Sequence, residues 1–355
     1  MVIKMKILIA GDLVPTKSNE MMFQQSDFIN NLDKDLVEQW NSVDLRMFNL
    51  ECPLGERMHP IFKNGPNLLA PSKCIEGIAS LNPSLVFLAN NHIMDYGSEG
   101  LSNTLKLLKS KNIKYTGILN SLQAGADKCI INSKGIRLGV YNVCENEFST
   151  ATETKAGANP LNVMKNCNEI SALKEECDLC LVIFHGGKEF YRYPSPNLQE
   201  ICHGFVDYGA DLVITQHSHC IGCEEKYKNS TIVYGQGNFI FDGGKDEFWN
   251  TALWILLEVK GKKYKVHYIP IEKKENLIKI SENKNILAEF SKRSDAIQKS
   301  GFIQEEYKKF ATKKLNEYLN IANKSRFYKK ILNRLFKRKF FYKTYIAKDC
   351  IRILN

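Results

Sequence analysis

Residue types that hold divalent metals recur at five places in this chain, each just after a short apolar run. Asp12 follows Ile7-Leu8-Ile9-Ala10, and Glu51 follows Met47-Phe48-Asn49-Leu50. Asn91 and His92 follow Leu85-Val86-Phe87-Leu88-Ala89. His185 follows Cys180-Leu181-Val182-Ile183-Phe184, and His217 and His219 follow Leu212-Val213-Ile214-Thr215. Imidazole nitrogen with carboxylate oxygen suits Zn, Mn or Fe(II) better than Ca or Mg. Two ions about 3.5–4 Å apart need a shared oxygen ligand and terminal ligands on each side. Asp12 and Glu51 are the candidate bridging carboxylates. His185, His217 and His219 are candidate imidazole ligands, and the Asn91 amide is a weaker one. His92 is a candidate general acid or transition-state hydrogen-bond donor. Such ions bring the pKa of water toward neutrality, so the expected chemistry is hydrolysis.

The elements that must position these residues can be read from the same runs. Continuous apolar runs of this length read as strands buried on both faces. Residues just past the carboxyl ends of such strands collect at one edge of the sheet, where ligands bind in open α/β folds. The i, i+2 spacing of His217 and His219 predicts that extended backbone points both side chains to one side. Each residue also has a plain reading: a carboxylate after a strand often caps a helix or closes a turn. Between the strands, helices are expected from Ser98, from Asn162 to Cys177, and from Asn197 to Tyr208. A hairpin is expected around Ser133-Lys134-Gly135, and a second at Gly261-Lys262-Lys263 joins Leu253–Val259 to Tyr264–Ile269. Alternating strands and helices with hairpins at the edges predict a layered α/β fold with mixed sheets.

The chain has 355 residues, 44% hydrophobic and 25% charged, ordinary values for a globular protein. There is neither a long apolar run nor a signal-peptide pattern, so the expectation is a cytoplasmic protein. Eleven scattered cysteines fit a reducing compartment better than a disulfide framework. Two pairs have CxxC spacing. Cys177 and Cys180 open a strand and are expected on opposite faces. Cys220 and Cys223 follow His219, which leaves a redox role as a weak alternative to incidental thiols. His203 and His267 are read as structural.

The net charge of +10 is concentrated at one end: from Ser291 onward there are 18 Lys and Arg against 5 Asp and Glu. Residues 1–280 are therefore expected to form one domain, and 281–355 a basic helical extension. The extension admits two readings: a solvated appendage packing its aromatics on the body, or an amphipathic helix on an anionic membrane surface at the inner face. No nucleic-acid-binding module accompanies the charge, so no nucleic-acid partner is expected. Lys188, Arg192 and Lys245 lie near the histidine motifs and are candidates for holding an anion.

The string Leu88-Ala89-Asn90-Asn91-His92-Ile93-Met94-Asp95-Tyr96-Gly97 resembles the hallmark of the CapA family, the bacterial poly-gamma-glutamate capsule synthesis proteins. Asn49-Leu50-Glu51, Phe184-His185-Gly186-Gly187-Lys188-Glu189, His217-Ser218-His219 and Tyr234-Gly235-Gln236-Gly237-Asn238-Phe239 resemble it too. That family is similar to the calcineurin-like metallophosphoesterases. The resemblance implies a four-layer α/β/β/α sandwich of two mixed sheets with a dinuclear site between them. It implies metal ligation by Asp12, Glu51, Asn91, His185, His217 and His219, catalysis by His92 with Asp95, and substrate contact at Asn238. The chain departs from calcineurin-like enzymes at Val14, where they carry His, and at Glu51, where they carry Asp. Two readings of function follow. One is a metal-dependent hydrolase of a phosphoester or gamma-glutamyl amide in envelope-polymer metabolism, acting on an anionic polymer or phosphoester. The other is a non-catalytic polymer-binding or membrane-docked assembly factor.

Overall fold

The computed structural model describes residues 4–124, 128–242, 244, 246–274 and 277–324. Two mixed sheets face each other. The first has five parallel strands, Met5–Leu13, Leu45–Leu50, Leu85–Phe87 and Tyr115–Thr116 with short Asn238–Ile240 beside the end of Met5–Leu13. Beside Met5–Leu13 it continues antiparallel through Thr251–Lys260, Lys263–Lys274 and Leu277–Ile280. The second has Ile136–Cys144, Leu179–His185, Leu212–Gln216 and Ser230–Gln236 in parallel. Its antiparallel edges are Cys129–Ser133 and Ile221–Tyr227.

Alternation along each strand builds three cores. Ile7, Ile9, Met47, Leu85 and Phe87 meet Leu138, Leu181, Ile183, Leu212 and Ile214 between the sheets. Leu8, Ala10, Phe48, Val86 and Leu88, from the other face of the first sheet, pack against an outer helical layer. That layer includes Lys34–Asn41, Ile75–Ser80 and Gly97–Ser110. Val143, Val182, Phe184 and Val213 pack against helices Val163–Glu176 and Pro196–Asp207. Asn162 and Ser195 cap these two helices by accepting from Lys165 N and Leu198 N. The result is a four-layer α/β/β/α sandwich, because strands buried on both faces need cover on both.

Several sequence expectations need correction. Ile221–Tyr227 is a strand, where the sequence offered only a CxxC spacing. Cys177 and Cys180 share the same helix-to-sheet core, because the strand starts at Leu179 and Cys177 is still turning out of the preceding helix. No correction is needed for the described part of the stretch after Ser281, which packs aromatics on the body as one of its two readings expects. Helix Lys284–Ala296 buries Phe290 against Ile221 and Leu253, and Arg293 Nε donates to Gly222 O at 2.7 Å. Helix Phe302–Lys324 stacks Phe310 on Tyr191 with ring centroids 4.3 Å apart. The most basic part of the extension, 325–355, lies outside the described residues, as does Lys245. Among the described residues no helix is long and apolar enough to cross a membrane.

The outer core centres on Trp40, fully buried, with centroids 5.1 Å from Trp254 and 5.3 Å from Phe239. Its indole N–H donates to Leu81 O at 2.8 Å. Trp40→Ala should cost about 3–5 kcal/mol by removing this packing. Urea denaturation with an unchanged midpoint would contradict that.

Candidate metal centre

The carboxyl ends of the central strands converge, as parallel strands in two facing sheets require. Asp12 lies level with Asn49 on one side and Asn238 on the other. Gln216 lies level with His185 in the second sheet. A Cβ on Gly11 would fall 2.0 Å from Gly237 O, so only glycine lets these backbones cross and brings Asp12 beside Asn238.

Ligand-type atoms gather in two groups. Asp12, Glu51 and His185 form one, and Glu51, His217 and His219 the other. Within each group the atoms lie within 4.8 Å of one another, and Glu51 belongs to both. The extended-backbone argument for His217 and His219 does not describe how this happens. The strand ends at Gln216, and the two histidines take positive φ values of 86° and 54°. Left-handed backbone at non-glycine residues costs on the order of 1–3 kcal/mol each and persists only where the surroundings enforce it. His217 N donates to Asp12 Oδ2 at 3.3 Å. Trp249 stacks on the His219 ring at 4.9 Å.

Buried amides hold the ligands. Asn49 Nδ2 donates to Asp12 Oδ1 at 2.8 Å and lies 3.3 Å from His185 Nδ1. Asn90 Nδ2 donates to Asn49 Oδ1 at 3.0 Å and to Leu50 O at 2.8 Å. Asn91 Oδ1 is 2.9 Å from His185 Nε2, and Asn238 Oδ1 is 2.9 Å from His219 Nδ1. Asn49 was not singled out from the sequence because it reads as a strand residue. Its place in Asn49-Leu50-Glu51 was the available signal.

The electrostatics ask for cations. Both Glu51 oxygens and His217 Nδ1 are buried without a hydrogen bond among the described residues. His185 Nε2 is 3.2 Å from Glu51 Oε1, yet not aligned to donate to it. Burial pushes Glu51 up to about 8. Burial, then the neighbouring Glu51 charge, pushes Asp12 up to about 7. Burial also drives His219 down to about 3, His217 well below its usual range, and His185 downward. A carboxylate without donors, a second one beside it and neutral imidazoles are the donor set a divalent ion takes, so these residues fit a metal.

His92 stands beside this group. Its Nδ1 is 2.6 Å from Asp95 Oδ2, and Asp95 is fully buried. Lys188 is half-buried on the turn after His185, and its charge reaches His217 and lowers that imidazole's pKa. Arg192 is engaged elsewhere: it donates to Ile221 O and to Glu247 and lies over Phe248. Cys220 and Cys223 are free and buried, and neither belongs to the metal-competent groups among the described residues. Burial pushes the Cys220 thiol up to about 11, away from the reactive thiolate. His203 pairs with Glu225 at 3.0 Å and stacks on Tyr227.

These shifts fix a pH dependence for metal-free protein. Above pH 6.5, the ordinary histidine value, the imidazoles are mostly neutral in both folded and unfolded chains. Among the metal-site groups, Asp12 and Glu51 then carry the linkage. Their folded values exceed the ordinary 3.8 and 4.5, so the folded state binds more protons. The stability they contribute is present at lower pH and lost as pH rises through about 7 and 8. The melting temperature of chelator-treated protein should fall from pH 6.5 to above 8, and saturating zinc should remove the fall. A flat profile in both samples would contradict this origin.

A family model described as bacterial capsule synthesis protein PGA_cap matches residues 6–243. The chain is 28% identical over 193 residues to the capsule biosynthesis protein CapA of Bacillus anthracis, covering 53% of this chain and 47% of that one. It is 27% identical over 224 residues to a probable polyglutamine synthesis accessory protein of Mycobacterium tuberculosis, covering 58% and 56%. The chain thus spans about half the length of the curated relatives it matches. A hypothetical protein from Thermus thermophilus aligns with TM-score 0.49 and 12% identity over 76% of this chain and 100% of that one. The fold class rests on the strand order and layering rather than on that likeness. With the hallmark string Leu88–Gly97 lying inside the matched stretch, the chain belongs to the bacterial capsule synthesis protein family PGA_cap.

Proposed function

We propose that the chain is a metal-dependent hydrolase of envelope-polymer assembly, using two divalent ions of the Mn, Zn or Fe type. The observation that carries this reading is Glu51, a buried carboxylate shared by two ligand groups with no hydrogen-bond donor on either oxygen. With both oxygens free of donors, Glu51 would be able to help hold an ion with each group. When bound, the ions would activate a water molecule and take up negative charge on the substrate.

The protein's own part is positioning and proton handling. Asp12 and His185 serve one side of Glu51, and His217 and His219 the other. Asn91 Oδ1 and Asn238 Oδ1 steady His185 and His219. His92, with Nδ1 held at Asp95, presents Nε2 for a proton to or from the reacting oxygen or nitrogen. Lys188 supplies positive charge at the mouth for an anionic substrate. The substrate class is a phosphoester or a gamma-glutamyl-type amide. The relatives' names, capsule and polyglutamine synthesis, support an anionic polymer.

A second reading, a non-catalytic binding factor, is favoured by Val14. The position at which calcineurin-like enzymes carry His is here an apolar residue buried in the outer core. In either reading the basic segment 325–355 would dock the chain on an anionic membrane surface from the cytoplasmic side.

Metal analysis of untagged protein should find about two transition-metal ions per chain, the stoichiometry of a two-metal site. His217→Ala/His219→Ala should lose most of them. Little metal in the parent protein after reconstitution would move the binding-factor reading to first place. His92→Ala should retain its metal yet lose about 10²–10⁴-fold in kcat on a phosphodiester or gamma-glutamyl amide. Unchanged turnover would remove His92 from the chemistry. Deleting 325–355 should abolish co-sedimentation with phosphatidylserine vesicles. Retained binding would exclude that segment as the anchor.

A further inference from the structure

Asp95 is enclosed by the loop at 61–68. Its backbone oxygen accepts from Ile61 N at 2.8 Å and from Asn67 Nδ2 at 3.1 Å. Its Oδ2 accepts from Leu68 N at 2.7 Å and faces His92 Nδ1 at 2.6 Å. Its Oδ1 is taken by Lys63 Nζ. Lys63 Nζ also stands 3.2 Å from His92 Nδ1. The Lys63 and Asp95 side chains are 2% and 0% exposed, so this ammonium lies at the site rather than in solvent.

The donors and acceptors of this trio have one consistent assignment. An ammonium only donates, and an ionised carboxylate only accepts. With Lys63 donating to Oδ1, Oδ2 remains for Leu68 N and for a proton on His92 Nδ1. The Lys63–His92 approach is then a contact between two donors to different oxygens of one carboxylate. Nε2 takes no part in these contacts. Each carboxylate oxygen has its own donor, so the carboxylate plane is fixed, and the imidazole plane with it.

We propose that Lys63 is a positioning residue for His92, holding Asp95 so that the imidazole keeps Nδ1–H inward and Nε2 toward substrate. The proposal rests on the hydrolase reading for its catalytic consequence, but not for its structural one. A direct role in binding a substrate anion fits less well, because Nζ is buried and already bonded to Asp95.

The test uses full-length, zinc-loaded protein with ¹⁵N-labelled histidine, comparing the parent, Lys63→Met and Lys63→Arg. The parent should show His92 in a single Nδ1–H tautomer. Lys63→Met should keep its zinc, show mixed His92 tautomers, and lose about 10–100-fold in kcat on bis-p-nitrophenyl phosphate with KM little changed. Lys63→Arg should recover part of both. An unchanged tautomer in Lys63→Met would overturn the proposal, and so would a raised KM with kcat intact, which would mark substrate binding. If Lys63→Met does not fold, Lys63→Gln replaces it. Mixed His92 tautomers in that variant support the proposal, and a single Nδ1–H tautomer overturns it. If the parent hydrolyses nothing, the hydrolase reading fails, while the tautomer comparison still decides whether Lys63 orients His92.

Discussion

A carboxylate sealed from water with no donor on either oxygen is the constraint around which this protein is arranged. Glu51 is such a group. An ionised carboxylate in that setting costs several kcal/mol unless a cation meets it. The surroundings do not meet the need with lysine or arginine. They surround it instead with three imidazoles kept neutral by burial and a second carboxylate, Asp12, itself pushed toward protonation. A hydrophobic isostere would be the cheaper choice for stability alone. The arrangement makes physical sense as a cage compatible with a metal ion, which would supply the missing charge.

Holding such a cage requires two sheets to stay in register at one edge. Apolar packing between them is not directional enough to do this. Buried amides supply the direction. Asn142, from the second sheet, accepts from Leu88 N and Ala89 N of the first at 3.1 and 2.9 Å. Gln236 reaches across to Ile9 O and Leu253 O at 3.1 and 3.0 Å. These bonds lie just behind Asp12 and the Asn90–His92 turn. A buried amide has several groups to satisfy, so a slipped register would leave many of them unpaired.

How much of this was legible in the sequence depended on whether position carried the signal. Asp12, Glu51, His185, His217 and His219 were visible because each ends an apolar run, and parallel strands bring such ends together. The convergence of His217 and His219 was expected through extended backbone and is achieved through left-handed backbone, a conformation that spacing does not encode. Lys63 was invisible: it sits in an irregular loop, and only the three-dimensional path places its ammonium on Asp95. Arg192 looked equally suitable for an anion, but its guanidinium found Glu247 and Ile221 O first. Strand Ile221–Tyr227 was hidden because its Cys-Ile-Gly-Cys start resembles a motif more than a pleat.

Strand Thr251–Lys260 lies outside the stretch that the family model matches, yet it is hydrogen-bonded along the edge of Met5–Leu13, the strand that delivers Asp12. Helix Phe302–Lys324, further on, stacks Phe310 against Tyr191 in the loop after His185. The stretch recognisable by ancestry and the unit that must fold together are therefore different lengths of chain. Within this chain the residues downstream of 243 cover the flank of the Asp12 strand and the back of the His185 loop, and Trp249 covers the His219 ring.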